Sequence, residues 1–374
     1  MKTILTFAMI VLALGHAEAR KILVVNNNAN APKGTTNFEI YKTLQAAIDN
    51  ASAGDTIHVI PSPATYGDAT IDKKLTVYGI GFNPDKDLAE KSSVGKIIIK
   101  SANASGARLV GLVVNRFELA PAVGSSYTLH GIVIEKCQIT NSQHATLIKH
   151  IDQNNTLDSL IIKNCLFVQN QNFHIGATII LAMDTRLSKA TISNNIFTGN
   201  VAGGFISAGN AALIRNNIFI GDGKPGRRAF EGLENCMVTN NIFYGVAPIG
   251  NPNGKNERNV FEYNFSFNTS NNTLPPVGTG TGNSGDPATN KPGEDPQFVN
   301  IPPGGNYEFA HDPNLKATSK GKNFGSDGKD IGIFGGNEPY VITGVPLPLI
   351  KFFYTRTVVN KGNDLDITVQ AKTK

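Results

Sequence analysis

The chain contains no tryptophan, and only 17% of its 374 residues are charged. Helical enzymes cover their exposed helix faces with Lys and Glu, so this low share of charge argues against a helical protein. Glycine (38 residues) and proline (19 residues) are the residues that shape turns. The composition therefore favours a protein of strands and turns, and the length suits one large domain or two medium ones.

Charge and cysteine are also scarce, and each shortage excludes a class of function. The net charge is only +5 and no cluster of Lys and Arg stands out, so we expect no binding of nucleic acid. The three cysteines, Cys137, Cys165 and Cys236, are too few and too widely spaced for a disulfide framework or a CxxC metal site. We therefore expect no metal site and no cofactor.

Long apolar runs are missing too, except for one at the N-terminus. MK is followed by the apolar stretch Ile4–Leu14 and then by the small-x-small motif Ala17–Ala19. This order is typical of a secretory signal peptide spanning residues 1–19, cleaved between Ala19 and Arg20. A membrane anchor needs about 20 apolar residues. The sequence thus predicts an exported protein without a membrane span, in the periplasm or outside the cell.

What the chain has in abundance is a repeated phrase. ISNNIFTGN, IRNNIFIGD and VTNNIFYGV begin at Ile192, Ile214 and Val238. We use the second residue of each NN pair, and its equivalents, as a register position that recurs every 22–30 residues. Such a recurrence is the signature of a solenoid of stacked coils. The register positions are Cys137, Cys165, Asn195, Asn217, Asn241 and Asn264.

The coils are predicted to consist of strands. Three residues before each register position lies an apolar residue, and the next position is mixed and mostly polar, which indicates strands with one face in a core. Asn tolerates left-handed backbone angles at a corner, and stacked Asn side chains can form a hydrogen-bonded ladder. Two residues after the register position, an aromatic stack is expected inside. The apolar column is Ile134, Ile162, Ile192, Ile214, Val238 and Phe261, and the stack is Phe167, Phe197, Phe219 and Phe243.

These features resemble the right-handed parallel β-helix proteins of the pectin-lyase-like superfamily. The stretch Thr43–Gly79 is similar to the entry module of that family, with a short helix that carries Leu44 and Ile48, caps the solenoid and stops at Gly54. Glu294–Asn300 and Asp327–Gly336 are similar to its closing segment. The resemblance implies an all-β solenoid domain at residues 20–336, with its first coil starting near residue 40.

The remaining chain is predicted from its composition. Residues 269–296 are rich in Gly, Pro, Asn and Thr, which is typical of a long loop. Residues 337–374 carry two strand-like runs, Ile350–Val359 and Leu365–Ala371, and we expect this C-terminal β extension to pack on the solenoid. Cys137 and Cys165 should stack in adjacent coils as buried thiols. We expect a monomer.

Enzymes of the resembled family mostly cleave acidic polysaccharides, and their lyases hold Ca²⁺ with acidic side chains on one parallel sheet. In this chain, the corresponding sheet is expected to point one set of residues outward, of which one is acidic, so the sequence supports a calcium site only weakly. The motifs of the hydrolase branch are missing. The expected inward set is Ile148, Ile179, Phe205, Phe230 and Ile249, and the outward set is Lys149, Ile180, Ile206 and Glu231.

The best candidate for a site is the loop Gly221–Gly232, because Arg side chains fit the carboxylates of acidic sugars. Catalytic candidates are Lys224, Arg227, Arg228 and Glu231, and candidates for binding substrate are Lys149, Arg227 and Arg228. The alternative is a solvated turn. A second polar column, seven residues before the register position, is more typical of a solvated turn than of a site. It consists of His130, Asp158, Ser188, Asn210, Glu234 and Glu257.

Three functions stay open at this point. The chain binds or processes an extracellular, acidic polysaccharide; if it is catalytic, it is a polysaccharide lyase or resembles a glycoside hydrolase. Alternatively, it is a non-catalytic adhesive protein, or a structural component of the cell envelope. The fold favours a sugar ligand by analogy only.

Overall fold

The fold is a parallel β-helix, as the repeats predict; its handedness stays a prediction. The computed structural model describes residues 20–29, 31, 39–82, 90–121, 124–141, 147–150, 152, 154–169, 180–181, 187–199, 204–249, 256–276, 282–341, 349–355 and 367–372. The predicted signal peptide and Ile179 lie outside these residues.

Sheet A contains eleven strands in the described part of the chain, and every pair of neighbours is parallel. Successive coils pair in register; Ile192, for example, lies opposite Ile162 and Ile214. The predicted apolar column is buried throughout, so it forms one wall of the core. The strands are Ile22–Val25, Ile40–Tyr41, Thr56–Val59, Thr76–Tyr78, Arg108–Val110, Val133–Glu135, Ile161–Lys163, Thr191–Ser193, Leu213–Arg215, Met237–Thr239 and Val260–Glu262.

Sheet B contains eighteen strands in the described residues and is also parallel. Its strands follow the NN corners and continue around the far side of each coil. They are Ala69–Ile71, Ser93–Ile99, Val113–Leu119, Thr128–His130, Gln138–Asn141, Ile148–His150, Thr156–Asp158, Leu166–Gln169, Ile180–Leu181, Leu187–Ser188, Ile196–Gly199, Gly204–Asn210, Ile218–Ile220, Arg228–Glu234, Ile242–Tyr244, Ala247–Ile249, Phe265–Phe267 and Lys291–Pro292.

The predicted phenylalanine stack lies inside, between the two sheets. Ring centroids are 4.6 Å apart for Phe167 and Phe197, 4.8 Å for Phe197 and Phe219, and 5.3 Å for Phe219 and Phe243. The rings are nearly parallel, with interplanar angles of 6°, 7° and 12°. Phe230 meets the stack edge-on, 5.2 Å from Phe219. Edge-to-face and stacked contacts of this kind add to the free energy of burial.

The two residues of each NN pair have different roles. The first adopts the left-handed backbone, with φ of 54° at Asn194, 55° at Asn216 and 58° at Asn240. The second forms the predicted ladder: the Nδ2 group of Asn195 donates to Oδ1 of Asn217 at 3.0 Å, and Asn217 donates likewise to Asn241 at 3.0 Å. The ladder ties coils together through groups that are fully buried.

The helix at the N-terminal end spans Leu44–Asn50, with the side chain of Thr43 accepting from the Ala46 N–H. Leu44 and Ile48 are buried on its inner face, as predicted. It ends at Asn50, four residues before Gly54, so Gly54 is not its stop. The solenoid also begins earlier than residue 40, because Ile22–Val25 pairs in parallel with Thr56–Val59.

The segment 269–296, predicted as a loop, contains part of another coil. Strand Lys291–Pro292 pairs in parallel with Phe265–Phe267, and Asn290 extends the ladder by accepting from Nδ2 of Asn264 at 3.3 Å. Ser284 bridges Val260 in parallel. Composition alone misled here, because Asn and Pro also occur in the coils themselves.

Residues 294–341 form a C-terminal arm. It was predicted to close the end of the solenoid, but it runs along the outside of sheet B. There it covers a column of apolar residues that point away from the core: Leu166, Ile196, Ile218, Ile242 and Phe265. The arm contributes Phe298, Ile301, Tyr307, Leu315, Ile331, Ile333 and Tyr340. It includes one antiparallel pair, Phe298–Asn300 with Asp312–Leu315.

Two short elements complete the described chain. A 3₁₀ turn spans Ala102–Ala104. Near the C-terminus, Leu349–Thr355 pairs with Ile367–Lys372 as an antiparallel ribbon, and the two strands overlap the two predicted strand-like runs. Packing of this ribbon on the solenoid stays a prediction.

Candidate functional site

A straight row of outward positions crosses five coils of sheet B. Parallel pairing places Glu118 opposite Lys149, Lys149 opposite Leu181, Leu181 opposite Ser207, and Ser207 opposite Glu231. Neighbouring strands lie about 4.8 Å apart, so the row is about 19 Å long from Glu118 to Glu231. We call these five residues the sheet B row.

The row corrects the predicted outward set at two positions. Ile180 and Ile206 pair with each other, in the column of Ile148 and Phe230, and Ile206 is only 3% exposed. The register positions opposite Lys149 and Glu231 in these coils are therefore Leu181 and Ser207, each one residue later than predicted. Phe205, which was predicted to point inward, is buried as well, with its ring 6.1 Å from those of Phe197 and Phe219. Two successive residues of this strand therefore lie in the core, which strict alternation did not predict.

At the N-terminal end of the row, two cations surround Glu118. The Nζ atom of Lys96 lies 3.7 Å from its Oε2 atom, and a guanidinium nitrogen of Arg116 is hydrogen-bonded to Oε1. Lys96 and Arg116 are themselves opposite each other in neighbouring strands. The Nε atom of Arg116 is buried and has no hydrogen-bond partner. This end of the row therefore holds an excess of donors.

The sequence reasoning missed Lys96, Arg116 and Glu118. Their strands precede the first register position, Cys137, so no repeat indicated which of their residues face outward. The alternation in VVNRFEL is the signal that could have found Arg116 and Glu118, whereas KIIIK, which begins at Lys96, does not alternate.

Lys149 is the next residue of the row. Its side chain is half-buried, and it forms no ion pair with any residue that the structure describes. The predicted role of Lys149 in binding a ligand is not tested by this placement, but its position in a line with Glu231 is consistent with it.

The loop between strands Ile218–Ile220 and Arg228–Glu234 satisfies much of its own charge. Asp222 accepts from Nε of Arg227 at 3.1 Å, and its carboxylate lies 3.2 Å from Nζ of Lys224. Burial raises the pKa of Asp222, but the hydrogen bonds from Arg227 and Lys224 outweigh it and hold this pKa below its usual value. The side chain of Lys224 is 70% exposed. The one carboxylate of this turn, Asp222, thus pairs with both Lys224 and Arg227.

Arg228 and Glu231, in contrast, lie on the strand beside the turn. Arg228 donates to Oε2 of Glu231 at 2.9 Å, and the Glu231 side chain is 46% exposed. Arg228 pairs across to Gly204 and Ala247 in the adjacent coils. Of the four loop candidates, these two are placed at the sheet B row by the structure.

The second polar column, seven residues before the register position, is a corner. Asp158 lies opposite His130 and Ser188, Asn210 lies opposite Glu234, and Arg258 forms ion pairs with Glu234 and Glu257 at 3.4 and 2.9 Å. The residue after each column member has a left-handed backbone. These residues are Gly131, Ser159, Lys189, Ala211, Asn235 and Arg258.

All three cysteines are buried thiols in the structure, as predicted for Cys137 and Cys165. Two of them lie directly before an asparagine ladder and donate to its first side chain. The Cys165 N–H donates to Oδ1 of Asn195, and the Cys236 N–H donates to Oδ1 of Asn259, both at 2.9 Å. Burial raises the pKa of the Cys236 thiol to about 11. The three cysteines therefore serve as packing residues inside the coils.

Neither a metal centre nor a membrane helix emerges from the described residues. Within them, no three side chains of His, Cys, Asp and Glu converge in a way that would hold a metal ion. In the same part of the chain, no helix has the length and apolar character to cross a bilayer.

Comparison with known proteins adds no relative. No protein-family profile matches the chain, and a search among curated protein sequences found no match. The class of protein is therefore defined by the fold alone, which is a parallel β-helix.

Proposed function

We propose that this chain is an exported carbohydrate-binding protein, and that the sheet B row holds one chain of an acidic polysaccharide. The observation that carries the proposal is the charge along the row. Four cations, Lys96, Arg116, Lys149 and Arg228, line it against two carboxylates, Glu118 and Glu231. The surplus of two positive charges favours a ligand with regularly spaced negative charge.

The repeat of the row supports a polymeric ligand. One outward position recurs at every coil, about 4.8 Å apart over about 19 Å. A polysaccharide lying along the row would meet a similar set of groups at successive sugars. The Arg116 side chain is partly exposed beside Glu118, and charge-assisted hydrogen bonds to carboxylates are among the stronger polar contacts.

Binding is favoured over cleavage by the positions of the carboxylates. A pair of carboxylates that hydrolyses a glycosidic bond lies about 5–9.5 Å apart, whereas Glu118 and Glu231 are four coils, or about 19 Å, apart. Each is also ion-paired, Glu118 to Lys96 and Arg116 and Glu231 to Arg228. These two residues therefore do not form the acid–base pair of a hydrolase.

Two further considerations support an extracellular glycan as the ligand. The pattern at residues 1–19 is that of a signal peptide. The pectin-lyase-like proteins that this chain resembles act on acidic polysaccharides, which is an argument by analogy of fold.

The experiment is a binding panel with the mature chain, residues 20–374. Polygalacturonate, alginate and hyaluronan are the acidic glycans, and dextran is the neutral control; binding is measured by titration calorimetry at low and at raised salt. We expect at least one acidic glycan to bind, dextran not to bind, and affinity to fall with salt. Equal binding of dextran, or no binding of any acidic glycan, would refute the proposal. Release of unsaturated or reducing ends during incubation would show that the chain also cleaves.

A structural role in the cell envelope is the second candidate, and one observation favours it. The ladder and the arm brace the same coils from inside and outside, since Asn195 bonds to Asn217 while Asn194 bonds to the arm. Such double bracing suits a stiff rod. A negative glycan panel, combined with retention of the chain in the envelope fraction, would favour this candidate.

A further inference from the structure

The end of the arm reaches around to sheet A. The carboxylate of Glu338 accepts from Nζ of Lys163 at 2.8 and 2.9 Å, and Nδ2 of Asn164 donates to the Glu338 carbonyl at 3.4 Å. Lys163 lies on a strand of sheet A, whereas the preceding part of the arm covers sheet B. Glu338 thus brings a carboxylate from the arm to the outer face of sheet A.

The carboxylate of Glu338 sits among cations that outnumber the local acids. Glu135 is shared by Arg108, at 2.5 Å, by Lys163, at 3.8 Å, and by Lys136, at 3.9 Å. Arg215 lies two coils beyond Lys163 in the same column, since both pair with Ser193, which places it about 10 Å away along the sheet. Arg215 forms no ion pair with any described residue. Four cations therefore face two carboxylates.

The ion pair between Glu338 and Lys163 holds the Glu338 side chain only weakly. Its side chain is 62% exposed, and exposed ion pairs contribute little to stability because water competes for both partners. The hydrogen bond from Lys163 lowers the pKa of Glu338, aided by Arg108 and Arg215, so the group stays ionised at neutral pH.

Two buried polar atoms beside Glu338 lack hydrogen-bond partners. They are Nε of Arg108 and Oδ1 of Asn164. A buried polar group without a partner costs free energy, so the arm satisfies this part of sheet A incompletely. The Arg108 side chain as a whole is 43% exposed, so an external ligand that offers more oxygens than one carboxylate can reach its guanidinium group.

We infer that Lys163, Arg108 and Arg215 form a binding site for an external carboxylate, and that Glu338 occupies it as a tethered competitor. The ligand class is a small sugar acid or another compound whose carboxylate is flanked by hydroxyl groups. Such a ligand displaces Glu338 from Lys163 and accepts from the Arg108 guanidinium. The site lies on sheet A and uses no residue of the sheet B row. The inference is therefore independent of the proposed function.

The test compares Glu338→Gln with the unaltered mature chain. Gln keeps the size of the side chain and removes its charge, and Glu338 is exposed, so the fold is retained. Glu294→Gln is the matched control, because Glu294 is another carboxylate of the arm that pairs with a lysine, Lys320, at 2.8 Å. Glucuronate is titrated at constant ionic strength, with glucose as the neutral probe, and the amide signals of Lys163 and Asn164 are followed by NMR.

In the unaltered chain, glucuronate can bind only to the fraction of molecules in which Glu338 has left the site, and the apparent Kd is raised in proportion. Because Glu338→Gln removes the competitor, we expect this variant to bind glucuronate at least about fivefold more tightly than the unaltered chain does. The Glu294→Gln variant should titrate like the unaltered chain, and glucose should shift neither signal. Adding Arg215→Gln to Glu338→Gln should weaken binding again. Equal affinities in the unaltered chain and Glu338→Gln, or no glucuronate-dependent shift at Lys163 and Asn164 in either, would overturn the inference.

Discussion

Asn194 and Asn195 are adjacent in the chain, yet their side chains hold different parts of the protein. The Nδ2 group of Asn194 donates to the carbonyls of Ile333 and Gly335 in the arm, both at 2.9 Å. The Nδ2 group of Asn195 donates inward, to Oδ1 of Asn217 and to the carbonyl of Ile162, both at 3.0 Å. The repeated NN pair therefore joins each coil to the next one and to the arm.

Replacing Asn217 with Ala should remove the middle of the ladder. The Asn195 N–H and Nδ2 groups would lose their acceptor, and the carbonyls of Ile192 and Arg215 would lose a donor. Each buried group left without a partner costs about 1–3 kcal/mol, so we expect a loss of at least about 3 kcal/mol in the free energy of unfolding. Denaturant unfolding measures it.

Asn271→Ala is the control for this change. The Oδ1 atom of Asn271 accepts only from the Thr273 N–H in an exposed turn, and exposed substitutions usually change stability by less than about 0.5 kcal/mol. Equal losses for the two variants would mean that the ladder contributes nothing beyond an ordinary asparagine.

Substitutions at Asn194 can separate its backbone role from its contact with the arm. Asn194→Gly loses both bonds to the arm but tolerates the left-handed φ of 54°, whereas Asn194→Ala also strains the backbone, at about 1–2 kcal/mol. We expect both variants to lower hydrogen-exchange protection of the Tyr340 N–H, which donates to the Ile333 carbonyl. Asn194→Ala should be the less stable of the two.

Similar stability of the Gly and Ala variants would indicate that the corner tolerates Ala, and unchanged protection at Tyr340 would show that Asn194 does not hold the arm. The Asn195 N–H serves as an internal reference, because its bond to Asn217 is retained in both variants.

Ala211 should be improved by glycine. Its φ is 56°, where an L-residue with a Cβ atom costs about 1–2 kcal/mol, and glycine avoids this strain at an entropic cost of about 0.5–1 kcal/mol. We expect Ala211→Gly to raise the free energy of unfolding by up to about 1 kcal/mol. Its neighbour Ala212 is buried and is not left-handed, so Ala212→Gly should lower it. A loss of stability in both variants would contradict this assignment of the corner.

Phe219→Ala tests the interior stack. Phe219 is fully buried and contacts the rings of Phe197, Phe243 and Phe230. Truncation leaves a cavity bounded by rings above and below, and buried Phe→Ala changes cost about 3–5 kcal/mol. A loss of less than about 1 kcal/mol in denaturant unfolding would contradict the packing.

The sequence predicted the solenoid at those positions where one type of residue recurs in successive coils. Asn and Phe recur at fixed places because the ladder and the stack each need one kind of side chain. The second corner was predicted as a solvated turn, but its left-handed residues were not predicted, because they include Ser159, Lys189, Ala211 and Arg258. Packing of the whole coil holds these residues in place, so their types carry no signal.

The site was predictable in part for the same reason. Lys149 and Glu231 were correctly assigned to the outer face, because the large apolar residues that precede them, Ile148 and Phe230, are buried. Lys96 and Arg116 belong to coils without the repeated phrase, and the course of the arm depends on contacts such as Asn194 with Ile333, far apart in the chain. No local pattern encodes a contact over that separation.

The claim that the sheet B row binds an acidic glycan is tested most directly by the affinity of a charge-removing variant. The double variant Lys149→Gln, Arg228→Gln removes two of the four cations, and Arg258→Gln removes an exposed cation at the second corner as a control. With the acidic glycan that the panel identifies, we predict at least about a tenfold rise in Kd for the double variant, equivalent to about 1.4 kcal/mol, an unchanged Kd for Arg258→Gln, and little change in Tm for either. An unchanged Kd in a folded double variant would contradict the account.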